Sequence, residues 1–271
     1  VDRRSVAKLG DADAQARADN PAGRDFSEAL ARGLRVIGAF EGAARALSLS
    51  DLARAVGLPR ATVRRTLITL THLGYVEASG RTFSLTARVL SLAGAYLDSS
   101  AATSVLQPAC ERLSAVHGET FSMAMLDGAS AVMVAYARPT SMYLLGAGIG
   151  LRIPAHCSAV GRVLIAGLDE SRRSAFLDGQ VLEAITPHTN TDRERLARIV
   201  DEVAVAGFAM VEHEVELGFR SLAVPVCRRD GRPTLALNLG MPSMRGTVSE
   251  VRDHFLPILR AEAIRLQGML L

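Results

Sequence analysis

The 271-residue sequence predicts an α+β protein in two parts: an N-terminal winged helix-turn-helix and, beyond a helical linker, a larger domain of mostly antiparallel sheet with flanking helices. Three patterns predict this. Apolar residues at helical spacing from Leu52 to Leu70 are interrupted by Gly57 and Pro59, the period shortens to two from Phe121 onward, and helical runs return between the later strands. The expected divisions are a disordered arm over residues 1–25, a small domain over 26–86, a linker over 87–102 and the larger domain over 103–271.

The arm mixes Ala, Asp, Arg and Gly without periodicity and lacks the apolar segment of a signal peptide. Leu30, Leu34, Ile37 and Phe40 then form an apolar stripe on a first helix. Ser50 is expected to cap the next helix, with Asp51 in its first turn and Leu52 and Val56 on its buried side. Gly57 ends that helix, because glycine adopts the left-handed conformation of a C-cap. Pro59 opens the following one, where its missing N–H has no partner to lose. In this second helix Val63, Leu67 and Leu70 lie at i, i+4 and i+7. Ala61, Thr62, Arg65 and Thr69 are thereby turned outward, with Arg60 and Arg64 on the flanks. After Gly74, Tyr75 to Ala78 and Arg81 to Leu85 read as two strands about Ser79 and Gly80, a wing with Arg81 at its tip.

Arginines among short side chains suit the major groove of double-stranded DNA, where Arg bonds the guanine edge and Thr or Ala lies against a thymine methyl. The wing-tip arginine is placed to meet phosphates or a minor groove. Charge agrees with this reading. Residues 27–90 carry nine Arg against four acids, a net of +5, while residues 101–271 carry 17 Arg against 18 acids, a net of −1. Lysine occurs once, at Lys8, so phosphate contacts must rest on arginine.

Val89, Leu90, Leu92, Ala93 and Leu97 make the linker helix apolar on more than one side, which predicts burial against a second copy and a dimer or tetramer reading a pseudo-palindromic operator. A helix from Thr103 to His117 opens the larger domain. Phe121 to Leu126 and Ala131 to Tyr136 flank a hairpin signal at Asp127-Gly128. Further strands are expected at Phe208 to Val211, Ser221 to Val226 and Thr234 to Leu239, the last two joined through Arg229 to Arg232. Thr191 with Glu194, and Thr247 with Glu250, read as capping boxes before two more helices, the second of which contains Pro257.

Three stretches carry a family resemblance: Gly57-Leu58-Pro59-Arg60-Ala61-Thr62-Val63, the run from Arg152 to Arg162, and the run from Glu216 to Val226. With them, residues 27–271 resemble the isocitrate lyase regulator (IclR) family of bacterial transcription factors. Ser221, where many relatives have Cys, and Asn238 look like the subgroup that senses protocatechuate, p-hydroxybenzoate or β-ketoadipate. The sequence departs from that subgroup at Ala159-Val160, where Ser-Met is common. The resemblance implies a GAF-like effector domain, a dimer or tetramer, and control of an aromatic-catabolism operon. It further implies an effector site containing Arg152, His156, Ser158, Ala159, Val160, Ser221 and Asn238.

The residues support an anion site independently. The segment from Gly146 to Ser158 reads as a loop ending at a helix near Ser158, and a helix N-terminus beside an arginine suits a carboxylate. Ser221 and Asn238 are polar positions in otherwise apolar strands. The expected effector is a small anion, an aromatic acid or its ring-cleavage product. Cys157 beside His156 has no third residue to orient it, so a buried, inert thiol is expected rather than a nucleophile. Glu212 to Glu216 lacks the second histidine of a zinc helix and reads as a strand end or loop with solvated carboxylates. Cys110, Cys157 and Cys227 are widely spaced and the six histidines scattered, so no metal site, no cofactor and a reducing cytoplasm are expected. No stretch is long and apolar enough for a membrane span. The competing reading is a small-molecule enzyme fused to a DNA-binding head.

Overall fold

Three helices, α1 (Glu28–Gly38), α2 (Leu49–Val56) and α3 (Arg60–His72), enclose a core of Val36, Phe40, Leu52, Val63 and Leu67. The computed structural model describes residues 25–41, 46–99, 101–139, 148–228 and 231–269, so all but the last residue of the expected arm lies outside it. The chain divides into two compact units between Tyr96 and Leu97. On α1 the apolar stripe splits, with Phe40 in the core and Leu30 and Leu34 exposed.

The cap of α2 is Ser48, not Ser50. Its hydroxyl accepts from the Asp51 N–H, and the Asp51 carboxylate accepts from the Ser48 N–H. The shift has a cause in β1 (Leu47–Ser48), which pairs with a later strand and delivers the chain into the helix two residues early. Gly57 does take the left-handed conformation, at φ 64°. Pro59 holds the cap position of α3, one residue before the helix proper, and its carbonyl accepts from the N–H groups of Thr62 and Val63. The wing is β2 (Val76–Ser79) and β3 (Thr82–Leu85), turning through Gly80 and Arg81 with Gly80 at φ 59°. A 3₁₀ turn at Ala87–Val89 then leads into α4 (Leu90–Ser99).

The second unit contains α5 (Ala101–His117), β4 (Thr120–Asp127), β5 (Ser130–Ala137), β6 (Arg152–Pro154), α6 (Ala159–Ala166), α7 (Glu170–Gly179), α8 (Arg193–Ala206), β7 (Ala209–Glu212), β8 (Phe219–Cys227), β9 (Pro233–Pro242) and α9 (Val248–Gln267). Its sheet runs β6-β5-β4-β9-β8-β7, with every neighbouring pair antiparallel. Part of the stretch read as a loop is the edge strand β6. The helix α8 is capped by Asp192, whose carboxylate accepts from the Arg195 N–H, rather than by Thr191. Thr247 and Glu250 form the expected capping box on α9. The turn expected at Arg229 to Arg232 lies partly outside the described residues.

The two faces of this sheet differ in side-chain size. Phe121, Met123, Leu222, Val224, Leu237 and Leu239 point to one face and pack against Leu106 and Leu113 of α5 and Phe255 and Leu259 of α9. Ala124, Ala223 and Ala236 point to the other and meet Val160, Val163 and Leu164 of α6. Short side chains let α6 lie close to the sheet. Close approach recurs at its N-terminus: a Cβ on Gly161 would stand 2.1 Å from the carbonyl oxygen of Ala155 in the preceding 3₁₀ turn. Gly161→Ala is therefore expected to destabilise the fold by about 1–3 kcal/mol, the usual cost of overpacking. A lowered thermal midpoint checks this, with Gly179→Ala, whose Cβ would meet nothing within 4 Å, as control.

Candidate functional site

In the first unit, Val63, Leu67 and Leu70 anchor α3 and turn its other side to solvent. Arg60, Ala61, Arg64, Arg65 and Thr69 are exposed and Thr62 is half-buried. The Thr69 hydroxyl donates to the Arg65 carbonyl at 3.2 Å. Ile68, 54% exposed between Arg65 and Thr69, belongs to the same surface and was missed by the sequence reading, which counted only arginines and short side chains. Arg81 is exposed at the wing turn.

In the second unit, a cavity of about 510 Å³ opens where α6 begins. Sheet register explains its position. Beneath α6 the small-side-chain face carries Ala124 paired with Ala236, and Ala223 beside Asn238; one same-face step along each of these strands lie Ser122, Asn238 and Ser221, with Gly240 between Thr120 and Ser221. The helix covers the alanines and stops, so the polar step is left as a floor beyond its N-terminus. Ser158 and Val160 close one side, and Met133, Ile153, Val215 and Phe219 supply apolar wall. The Phe219 ring lies against Gly240, where a Cβ would meet it at 2.6 Å. Tyr136, paired across the strands with Ser122, brings a phenol whose pKa burial pushes up.

Of the seven residues expected at an effector site, Arg152, Ser158, Val160, Ser221 and Asn238 line this cavity. Ser158 caps α6, its hydroxyl accepting from the Gly161 N–H at 3.1 Å. Ala159 instead packs in the apolar cluster under α6. His156 is also turned away: its Nε2 lies 3.1 Å from the Glu183 carbonyl, and burial lowers its pKa, which makes it a neutral donor. The Arg152 guanidinium, expected to await an anion, is held by Asp127 at 2.7 Å. Both partners are well exposed, and exposed pairs contribute only about 0–1 kcal/mol, so an incoming carboxylate competes for this arginine on modest terms.

Two loops complete the wall, and a buried carboxylate joins them. Glu214, expected to be solvated, instead accepts from Arg162 of α6 at 2.8 Å and from the Asn190 N–H at 2.9 Å, while its carbonyl accepts from the Thr189 hydroxyl at 2.7 Å. The loop returns to β8 through His213, which holds a left-handed φ of 65° and accepts the Gly218 N–H on Nδ1 at 2.9 Å. Ile185, Val215 and Glu216 are thereby presented to the cavity. Cys157 donates weakly to the Pro154 carbonyl, and burial pushes its thiol pKa up to about 11, far from the reactive range. Among the described residues no group of side chains could hold a metal ion, and no helix is long and apolar enough to cross a membrane.

Comparison with known proteins bears on both units. Residues 29–80 match the IclR helix-turn-helix domain, and residues 94–267 match the C-terminal domain of bacterial transcriptional regulators of the IclR type. The Pca regulon regulatory protein of Pseudomonas putida is 38% identical over 238 residues, covering 88% of this chain and 82% of the relative. The p-hydroxybenzoate hydroxylase transcriptional activator of Acinetobacter baylyi is 32% identical over 250 residues, 90% and 92% of the two chains. An IclR homologue of Microbacterium hydrocarbonoxydans, solved in complex with 4-hydroxybenzoate, superimposes with a TM-score of 0.73 at 26% identity, over 90% of this chain and 99% of that one.

Proposed function

The chain belongs to the IclR family of bacterial transcriptional regulators, and we propose that it controls an aromatic-acid catabolism operon by binding a small aromatic acid in the cavity at the N-terminus of α6. One observation carries the reading: a mostly apolar cavity with a polar floor lies at the N-terminus of a helix and beside an arginine. Relatives named for the Pca regulon and for p-hydroxybenzoate hydroxylase, and a neighbour holding 4-hydroxybenzoate, support the choice of ligand class. These relatives are regulators and not enzymes, so the enzyme reading falls. The work is done in the cytoplasm, where three free cysteines stay reduced.

In this reading Arg65 meets a base edge, Arg60 and Arg64 meet backbone or base, Ala61, Thr62 and Thr69 let the helix sink into the groove, and Arg81 meets phosphate or minor groove. The two kinds of contact separate experimentally. On a preferred site selected from random DNA, Arg65→Ala is expected to cost about 1–3 kcal/mol and to relax sequence preference. Arg81→Ala should weaken preferred and random DNA alike and reduce the salt slope by about one. Equal losses on both DNAs for Arg65→Ala would remove it from base reading.

A pseudo-palindromic operator calls for two reading heads. Leu90, Leu92 and Tyr96 of α4, with Leu30 and Leu34 of α1, are exposed apolar side chains at 70%, 48%, 46%, 63% and 56%, and we assign them to a dimer interface between two copies. Changing Leu92 and Leu97 to Asp should yield monomers in sedimentation and abolish cooperative filling of paired half-sites; a wild-type monomer that fills both sites would overturn the assignment.

The effector carboxylate is assigned to the α6 N-terminus with help from Arg152. A ligand at about 100 times its dissociation constant raises stability by about 2.7 kcal/mol, which a thermal-shift measurement with 4-hydroxybenzoate will register. Since Arg152 must leave Asp127, Arg152→Ala should weaken the acid about tenfold, while operator binding without ligand is retained. Unchanged affinity in calorimetry would exclude Arg152 from the site.

A further inference from the structure

We propose that the cavity selects an aromatic monocarboxylate carrying a ring hydroxyl over a dicarboxylic ring-cleavage product, and that the Asn238 amide is the specificity-determining group that reads the hydroxyl. This rests on the aromatic-acid reading above and deepens it.

Two independent observations meet here. The first is an unanswered acceptor. Asn238 is 6% exposed on the cavity floor; its Nδ2 donates to the Ser122 hydroxyl at 3.3 Å, and its Oδ1 is buried with no hydrogen-bond partner among the described residues. Buried polar atoms in folded proteins are nearly always paired, and this one belongs to a residue that lines the space a ligand would fill. A ligand hydroxyl donates to it; a carboxylate, which only accepts, cannot.

The second is the charge of the wall. Among the described residues, Arg152 and Glu216 are the charged side chains lining the cavity, and Arg152 already answers Asp127. One carboxylate is accommodated where the α6 N-terminus and Arg152 lie together. A second carboxylate would have to rest beside Met133, Ile153 and Phe219 on the neutral hydroxyls of Thr120, Ser122, Tyr136 and Ser221, with Glu216 the remaining charge, and neutral donors offset the desolvation of a carboxylate less well than a cation does. The ligand the wall fits is therefore anionic at one end and a neutral donor at the other.

Calorimetry on the full chain decides this with 4-hydroxybenzoate, 3-hydroxybenzoate, benzoate and 3-oxoadipate as probes. The wild type is expected to bind one of the hydroxybenzoates about tenfold more tightly than benzoate, since benzoate leaves the amide oxygen unpaired. Asn238→Leu, close in volume, should bring the two to within about twofold of each other. Tighter binding of 3-oxoadipate than of any hydroxybenzoate, or a hydroxyl preference that survives in Asn238→Leu, would overturn the proposal. Should that variant not fold, the wild-type comparison of hydroxybenzoate with benzoate still decides: equal affinities sink the hydroxyl assignment alone, whereas no binding of any aromatic acid sinks the underlying reading as well.

Discussion

The close seating of α6 on the sheet is the constraint on which the effector unit depends. It requires Gly161 against the Ala155 carbonyl at one end and Gly167, where a Cβ would stand 2.7 Å from Pro233, at the other. It also requires alanine at positions 124, 223 and 236 beneath the helix. A helix held that close has nowhere to rise, so the space it leaves free lies beyond its first turn. The cavity is thus a product of backbone geometry, and its polarity comes from a single step along three strands.

Burial inside this arrangement is made tolerable by pairing. Arg162 sits in α6, 4% exposed, and its cost is offset by Glu214 and by the His156 carbonyl, which accepts from Nε at 3.0 Å. The same carboxylate gathers Asn190, so one buried ion pair positions both loops that supply Ile185 and Val215. A charge spent on structure in this way is not available to a ligand. Among the described residues that line the cavity, Arg152 is the one cation, and that fits the proposed effector of low charge better than the overall composition of the domain does.

The reading helix, the wing, the two long hairpin strands and the α9 capping box are legible in the sequence because each is local: a glycine, a proline, a period of two, or a Thr and Glu three apart. What is not legible is long-range or short. The strand β1 has two residues, too few for alternation, yet its pairing moves the α2 cap from Ser50 to Ser48. Arg162 and Glu214 are separated by 52 positions, so nothing nearby marks Glu214 as buried. Ser221 and Asn238 stand out as polar residues in apolar strands, and Ser122, between Phe121 and Met123, carries the same signal. His156 and Ala159 enter the expected site through the family resemblance, but the 3₁₀ turn and the helix direct them to the Glu183 carbonyl and the apolar cluster under α6 rather than to the cavity lining.

A ligand shifts a regulator only by the difference in its contacts with two states of the protein. With α6 wedged against the Ala155 backbone at one end and the Pro233 ring at the other, that difference does not come from sliding the helix. The loops at residues 185–190 and 213–218 are instead held by the Asn190 N–H donating to the Glu214 carboxylate, by the Thr189 hydroxyl donating to the Glu214 carbonyl, and by a histidine in a left-handed conformation, costly for a residue with a Cβ. Such bonds exchange partners without repacking a core. The wall of the cavity therefore combines a rigid floor and helix, which would fix how the proposed effector lies, with two loops whose arrangement its binding would bias.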